Sequence, residues 1–185
     1  MLQETTRLWS VDEYHRMIQT GILGPEERVE LIEGQIVEMS PQLPPHATAT
    51  GCASEYLKEL LGIRVTIRLQ VPVTLRPKSE PEPDIALVQP THRRYRDHHP
   101  APSEIFLIIE VADTTLKSDR QTKARMYAKA NIADYWIIDV KNRCLFVLRS
   151  PGQETYLQET VLAPDGYVTP LAFPDISVSV EELLP

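Results

Sequence analysis

Only two cysteines occur in 185 residues, Cys52 and Cys144, far apart and without a CxxC or histidine-spaced companion. That scarcity speaks against a disulfide framework and a structural zinc site, so both are expected as reduced core residues. A long apolar run is also missing at the start. Met1 to Met17 carries Glu4, Arg7, Asp12, Glu13 and Arg16, so neither a signal peptide nor a membrane span is expected, and a cytoplasmic location is. Positive charge is in the minority, with 19 Lys and Arg against 26 Asp and Glu and a net charge of -7. Such a chain exerts no long-range pull on a polyphosphate, which argues against non-specific DNA coating and requires any nucleic-acid contact to be local. Internal repeats and low-complexity tails are absent too. A chain of 185 residues, 42% hydrophobic and 24% charged, fits one globular domain over 1–185.

The 16 prolines cluster between elements and mark the joints. Ser10 to Thr20 predicts a short helix, with Ser10 as N-cap and Glu13 as capping-box partner. Val29 to Met39 reads as a hairpin turning at Glu33-Gly34, and Pro41, Pro44 and Pro45 close this N-terminal unit. Ala49, Cys52, Ala53, Tyr56, Leu57, Leu60 and Leu61 recur at helical spacing as one buried stripe ending at Gly62. Arg64 to Leu75 alternates as a long half-exposed strand, placed at an edge or bulge by Pro72. A short strand, Asp84 to Gln89, follows. The loop Pro90 to Pro102 then leads to Ile105 to Val111, apolar at five successive positions and so covered on both faces. A helix over Ser118 to Ala130 returns the chain to the strand Tyr135 to Val140, which suggests a parallel pair with a right-handed crossover. A turn at Lys141-Asn142 feeds Cys144 to Leu148, and Pro151 to Pro185 reads as a β-arm ending in a short acidic helix, Val180 to Leu184.

The chemistry is expected around Glu110, which ends a segment otherwise written for the interior. A buried carboxylate is costly unless paired or bound to a metal, and the carboxyl ends of strands are where open α/β sheets place their functional crevice. Asp119, Lys123, Met126 and Tyr127 share a helix face, putting Lys123 on the core side within reach of Glu110. Asp84 starts its own strand directly after a proline. Two carboxylates converging with an ammonium suit phosphodiester hydrolysis with Mg²⁺, for which Mn²⁺ can substitute. The ion takes oxygens from Asp84, Glu110, the Val111 backbone carbonyl and the scissile phosphate, and lowers the pKa of a bound water. Lys123 would orient that water and stabilise developing charge.

Each residue also has an ordinary reading. Pro-Asp at a strand entrance is common turn chemistry, Glu110 with Lys123 can be a buried salt bridge, and Asp119 with Lys123 a helix pair. Glu30 reads equally as a strand-surface charge or as another carboxylate over the site. His46 is expected as a helix-entry histidine satisfied by backbone, with phosphate contact as the other reading. Thr91 to His99 is the one basic, aromatic-interleaved patch. Usually such a run is a solvated loop. Because it joins the Asp84 strand to the Glu110 strand, Arg93, Arg94 and Arg96 are candidates to overhang the site and hold a DNA backbone. Adjacent His98 and His99 without further ligand spacing make poor metal ligands. Trp136 is expected in the core, and Asp139 at a strand-ending turn.

Pro83-Asp84, then Glu110-Val111-Ala112, resembles the bipartite PD-(D/E)XK signature, and helix, three strands, helix, strand is similar to the core of that nuclease superfamily. One position departs, because Ala112 stands where the signature has lysine. Glu110-Val111-Ala112-Asp113-Thr114-Thr115, Asp119-Arg120, Lys123, Tyr127 and Asp134-Tyr135-Trp136-Ile137-Ile138-Asp139 resemble the Uma-two family of restriction-endonuclease-like proteins, in which the helix supplies the lysine. Glu30-Leu31-Ile32-Glu33-Gly34, Met39-Ser40-Pro41 and His46 match its N-terminal pattern. The resemblance is specific in combination rather than piece by piece. Running from about the hairpin at Val29 to the strand ending at Leu148, it implies an α/β restriction-endonuclease-like fold with a mixed central sheet and a nuclease core at 46–149, beside the N-terminal helix and hairpin at 10–40 and the C-terminal arm at 151–185. It favours a Mg²⁺-dependent endonuclease with Asp84, Glu110 and Lys123 as catalytic residues and DNA as partner. The alternatives are a nuclease-fold binding or regulatory protein without turnover, and an RNA or nucleotide phosphodiesterase. A homodimer would help an acidic nuclease address both strands, although no heptad or apolar stripe commits the chain to one.

Overall fold

Ser10 caps the first helix, α1 (Val11–Gln19): its hydroxyl accepts from the Glu13 backbone N–H while the Glu13 carboxylate accepts from the Ser10 N–H. This satisfies two donors that a helix start otherwise leaves open. The computed structural model describes residues 6–185, so Glu4 and the rest of the first five lie outside the described residues. Strands β1 (Val29–Ile32) and β2 (Gln35–Glu38) pair antiparallel through Glu33-Gly34, both at positive φ, the tight turn such a hairpin favours. Gly34 is also required by space, because a Cβ there would lie 2.8 Å from the Leu8 Cβ.

The next helix, α2 (Pro44–Leu61), starts earlier than the apolar stripe suggests. Pro44 and Pro45 open it instead of closing the preceding unit, since a proline in the first turn gives up an N–H that has no partner anyway. The long strand expected over 64–75 is only β3 (Thr66–Leu69). Gln70 adopts a left-handed φ of 51°, which breaks the extended run, and the chain beyond it makes one isolated bridge, Leu75 to Ser79.

Strands β4 (Ile85–Val88), β5 (Ile105–Ala112), β6 (Asp134–Asp139), β7 (Cys144–Pro151) and β8 (Tyr156–Leu162) join β3 in a six-stranded sheet ordered β3-β4-β5-β6-β7-β8. The β5–β6 pair is parallel and the others antiparallel. Between β5 and β6 runs a continuous helical stretch: α3 (Leu116–Ser118), a π turn (Asp119–Lys123) and α4 (Ala124–Lys129).

Alternation splits β5 between two cores. Leu107, Ile109 and Val111 face the α2 side with Trp136 and Ile138. Ile108 and Ala112 face the α4 side with Tyr127, Tyr135 and Ile137. Trp136 is fully buried, as expected. Cys52 and Cys144 are free thiols but only partly buried, Cys144 at the margin of the α4-side layer. The C-terminal stretch, expected as a β-arm, packs onto the main body. β8 completes the sheet, and Val168, Phe173, Val178, Val180 and Leu183 pack into the same apolar layer as α2. The short strands β9 (Tyr167–Val168) and β10 (Val178–Ser179) pair there, and the expected acidic helix is a single 3-10 turn, Glu181–Leu183. Among the described residues, no helix is long and apolar enough to cross a membrane.

Candidate active site

The β4–β5 register decides where the carboxylates meet. Ile85 pairs with Ile109, so Asp84 and Glu110 stand opposite each other one antiparallel step beyond the last ladder pair. Both then fall on the face of Ala86 and Ile108, the side covered by α4. The Asp84 carboxylate closes the ladder itself: Oδ2 accepts from the Val111 N–H at 2.8 Å. In a strand the N–H and C=O of one residue point toward the same neighbour, so the Val111 carbonyl is aimed at the same edge.

Glu110 is 2% exposed. Lys123 donates to its Oε1 at 3.0 Å and the Tyr127 hydroxyl donates to the same oxygen at 2.8 Å, which leaves Oε2 as the oxygen available to the cleft. The hairpin brings a further carboxylate. Leu31 exchanges backbone hydrogen bonds with Glu80, which docks β1 on the 79–82 segment. The Glu30 carboxylate then accepts from the Glu82 N–H and lies 3.8 Å from the Lys123 ammonium. Glu30 is thus buried at the cleft rather than a strand-surface charge. His46 is not satisfied by backbone. From the first turn of α2 its Nε2 meets Asp84 Oδ2 at 3.1 Å, and its Nδ1 is buried without a partner.

Lys123 reaches Glu110 from a widened turn. The Ala124 N–H reaches back to the Asp119 carbonyl, which also accepts the Tyr135 hydroxyl at 3.1 Å. Single π turns of this kind recur at functional sites. The Asp119 carboxylate does not pair with Lys123 as a simple helix pair; it accepts from the Thr115 hydroxyl at 2.6 Å.

These groups line a cleft of about 300 Å³ bounded by the hairpin, the start of α2 and the π turn. Seven carboxylates border it, namely Glu30, Glu38, Glu82, Asp84, Glu110, Asp113 and Asp119, against Arg28 and Lys123 as fixed cations. The imbalance shows in their proton affinities. Burial pushes Glu110 well above the usual carboxylate range, with Lys123 opposing and Asp84 and Asp119 adding to it. Burial also lifts Asp119 to about 6. Asp84 goes the other way. Burial would raise it, but the hydrogen bond and charge of His46, the Val111 N–H and Lys123 together hold it below the ordinary range. The same hydrogen bond raises His46, against its burial. Lys123 is held protonated by Glu110, Glu30 and Asp119 despite its burial.

Among the described residues no three His, Cys, Asp or Glu side chains form a cage for an ion. The donors that could face one are therefore Asp84 Oδ1, which meets only the Gln70 amide at 3.4 Å, Glu110 Oε2 and the Val111 carbonyl, an all-oxygen partial set that matches a hard cation keeping several waters.

The structure brings Asp84, Glu110, Lys123, Glu30, His46, Asp119 and Val111 to this one place and leaves the arginine loop elsewhere. Because β4 and β5 are antiparallel, the loop joining them lies at the end of the pair opposite Asp84 and Glu110, so Arg93, Arg94 and Arg96 do not overhang the cleft. Arg93 pairs with Asp97, and Arg96 borders a separate cavity with Tyr95 and His99. His98 meets Glu104, and His99 faces Arg68. Sequence reasoning missed the bond from Tyr127 to Glu110. Its signal was a hydroxyl one turn beyond Lys123 on the core face of the helix.

A helix, three antiparallel strands, a second helix and a parallel strand, with an aspartate and a glutamate facing each other at the end of the β4–β5 ladder, define a restriction-endonuclease-like nuclease fold. The profile of the Uma2 (Uma-two) family, described as "putative restriction endonuclease", matches residues 11–181, and the chain belongs to that family. Among solved structures the chain is similar to a protein of Anabaena variabilis described as a "putative nuclease belonging to DUF820". The two share 19% identity with a TM-score of 0.67, over 94% of this chain and 96% of that one, a likeness of fold. No curated protein matches.

Proposed function

We propose that this protein is a magnesium-dependent endonuclease that hydrolyses DNA phosphodiester bonds in the cleft between the hairpin and the π turn. One observation carries the reading: Asp84 and Glu110 face each other beyond the β4–β5 ladder, with the Lys123 ammonium 3.0 Å from Glu110. Asp84, Glu110 and the Val111 carbonyl would hold the ion, Mg²⁺ or Mn²⁺ in its place. When bound, it supplies Lewis acidity and a water of lowered pKa. The rest is the work of side chains. His46 fixes the Asp84 carboxylate from one side and the Val111 N–H from the other. Tyr127 fixes Glu110 so that one oxygen stays turned to the cleft. Lys123 orients the attacking water, whose oxygen bonds to phosphorus as the bond to the leaving sugar oxygen breaks; the water's proton passes to solvent and the leaving oxygen takes one from solvent, while the Lys123 charge stabilises the negative charge gathering on the phosphoryl oxygens.

Plasmid nicking in Mg²⁺ tests the proposal. Asp84→Ala and Lys123→Ala should each lower the rate by roughly a hundredfold or more, whereas equal activity in the wild type and both variants removes it. An intact metal site without nicking of any nucleic acid would support the other reading, a nuclease-fold binding protein, toward which the acidic cleft and net charge of -7 lean.

A further inference from the structure

The cleft presents seven carboxylates to its substrate, so the phosphates flanking a scissile bond need a cationic surface elsewhere. A second cavity, of about 510 Å³, supplies one. Arg76, Lys78, Arg125 and Lys129 border it with Glu33 as the lining carboxylate, while at the rim Asp12 pairs with Arg76 at 2.8 Å and Glu154 lies 3.5 Å from Lys129. Its floor includes Leu75 and Met126, both almost fully buried. The cleft and this groove share two walls. Ile32 of the hairpin lines the cleft and Glu33 the groove, while Lys123 lines the cleft and Arg125 and Lys129 the groove.

From Lys123 to Lys129 is roughly 9 Å along the helix, the axial reach of about three base steps of a duplex. The rim is held in place. Glu33 accepts from Arg125 and, at 3.0 Å, from Lys129, while the Gly34 N–H binds the Lys78 carbonyl at 2.7 Å. Lys78 itself has no carboxylate partner among the described residues, so its charge faces outward uncompensated.

We infer that this groove is the docking surface for the DNA backbone flanking the scissile bond, with Lys78 and Lys129 neutralising phosphates. The inference rests on the proposed nuclease function and adds the surface that holds the substrate. Anisotropy of a short labelled DNA duplex, measured with Mg²⁺ in a Glu110→Gln background so that the DNA stays intact, tests it. The double variant Lys78→Glu and Lys129→Glu should bind about tenfold or more weakly at low salt, with the slope of log affinity against log salt reduced by about two. Lys78→Gln, which removes no ion pair, should lower the slope by about one. An equal charge reversal at the far loop, Arg93→Glu with Arg94→Glu, should leave affinity and slope near the parent values.

If the parent binds and the groove variants bind equally well, or the far-loop variant loses as much, the inference is overturned while the nuclease reading stands. Failure of both the parent and the wild type to bind the duplex overturns both.

Discussion

Glu110 is the residue on which the site turns. Its strand puts it on the α4 face by alternation, and there it finds two donors on one oxygen, Lys123 and Tyr127. Among the described residues the tyrosine hydroxyl makes no other hydrogen bond, so it acts by fixing the carboxylate. Tyr127→Phe should leave the fold intact at a cost of about 1 kcal/mol and weaken Mg²⁺ binding by about tenfold to a hundredfold, read by calorimetry beside a thermal melt. An unchanged metal affinity would assign Tyr127 to packing alone. The neighbouring acids also set a pH dependence. Asp119 and Glu110 hold protons more tightly folded than unfolded, so across the interval from the normal aspartate range up to about 6 the folded state carries the extra proton. Stability of the metal-free protein therefore falls as pH rises through that window. Melting temperatures without metal should decline from pH 5 to pH 7, and Mg²⁺ should restore more at pH 7 than at pH 5, since binding to the folded state alone is stabilising.

At the scale of elements, the π turn carries the lysine. The extra residue between Asp119 and Ala124 lets the Asp119 carbonyl serve both the Ala124 N–H and the Tyr135 hydroxyl, while Lys123 turns in toward Glu110. Deleting exposed Gln121 should convert the stretch to a regular helix and shift Lys123. Nicking would fall by roughly two orders of magnitude with helical circular dichroism retained; nicking at the wild-type rate would show that the widened turn is incidental.

Much of this was legible beforehand. Five apolar residues followed by Glu110 marked a doubly covered strand, and helical spacing put Lys123 on its inner side. The break at Gln70 was not legible, because alternation continues through Val71, Val73 and Leu75 while the backbone turns left-handed. Pro44 and Pro45 read as a stop for the same reason they make a start: both roles follow from a missing N–H. The bond from His46 to Asp84 spans 38 residues and has no local signature. The loop carrying Arg93 was misplaced because its position depends on β4 and β5 running antiparallel, which spacing alone did not fix.

For the whole molecule, charge is divided rather than uniform. An acidic chain gathers carboxylates into a cleft and sets four cationic side chains around the groove beside it. The long sheet gives both a common frame, since β5 is covered by α2 on one face and by α4 on the other. The hairpin, the end of the β4–β5 ladder and the crossover helix converge to give the cleft a deficit of positive charge. Calorimetric titration of the metal-free protein with Mn²⁺ measures that deficit most directly. We predict one ion per chain in the wild type and in Lys123→Ala, and loss of the site in Asp84→Ala and in Glu110→Ala. A wild type that binds no ion, or binding that survives both carboxylate substitutions, would contradict the account.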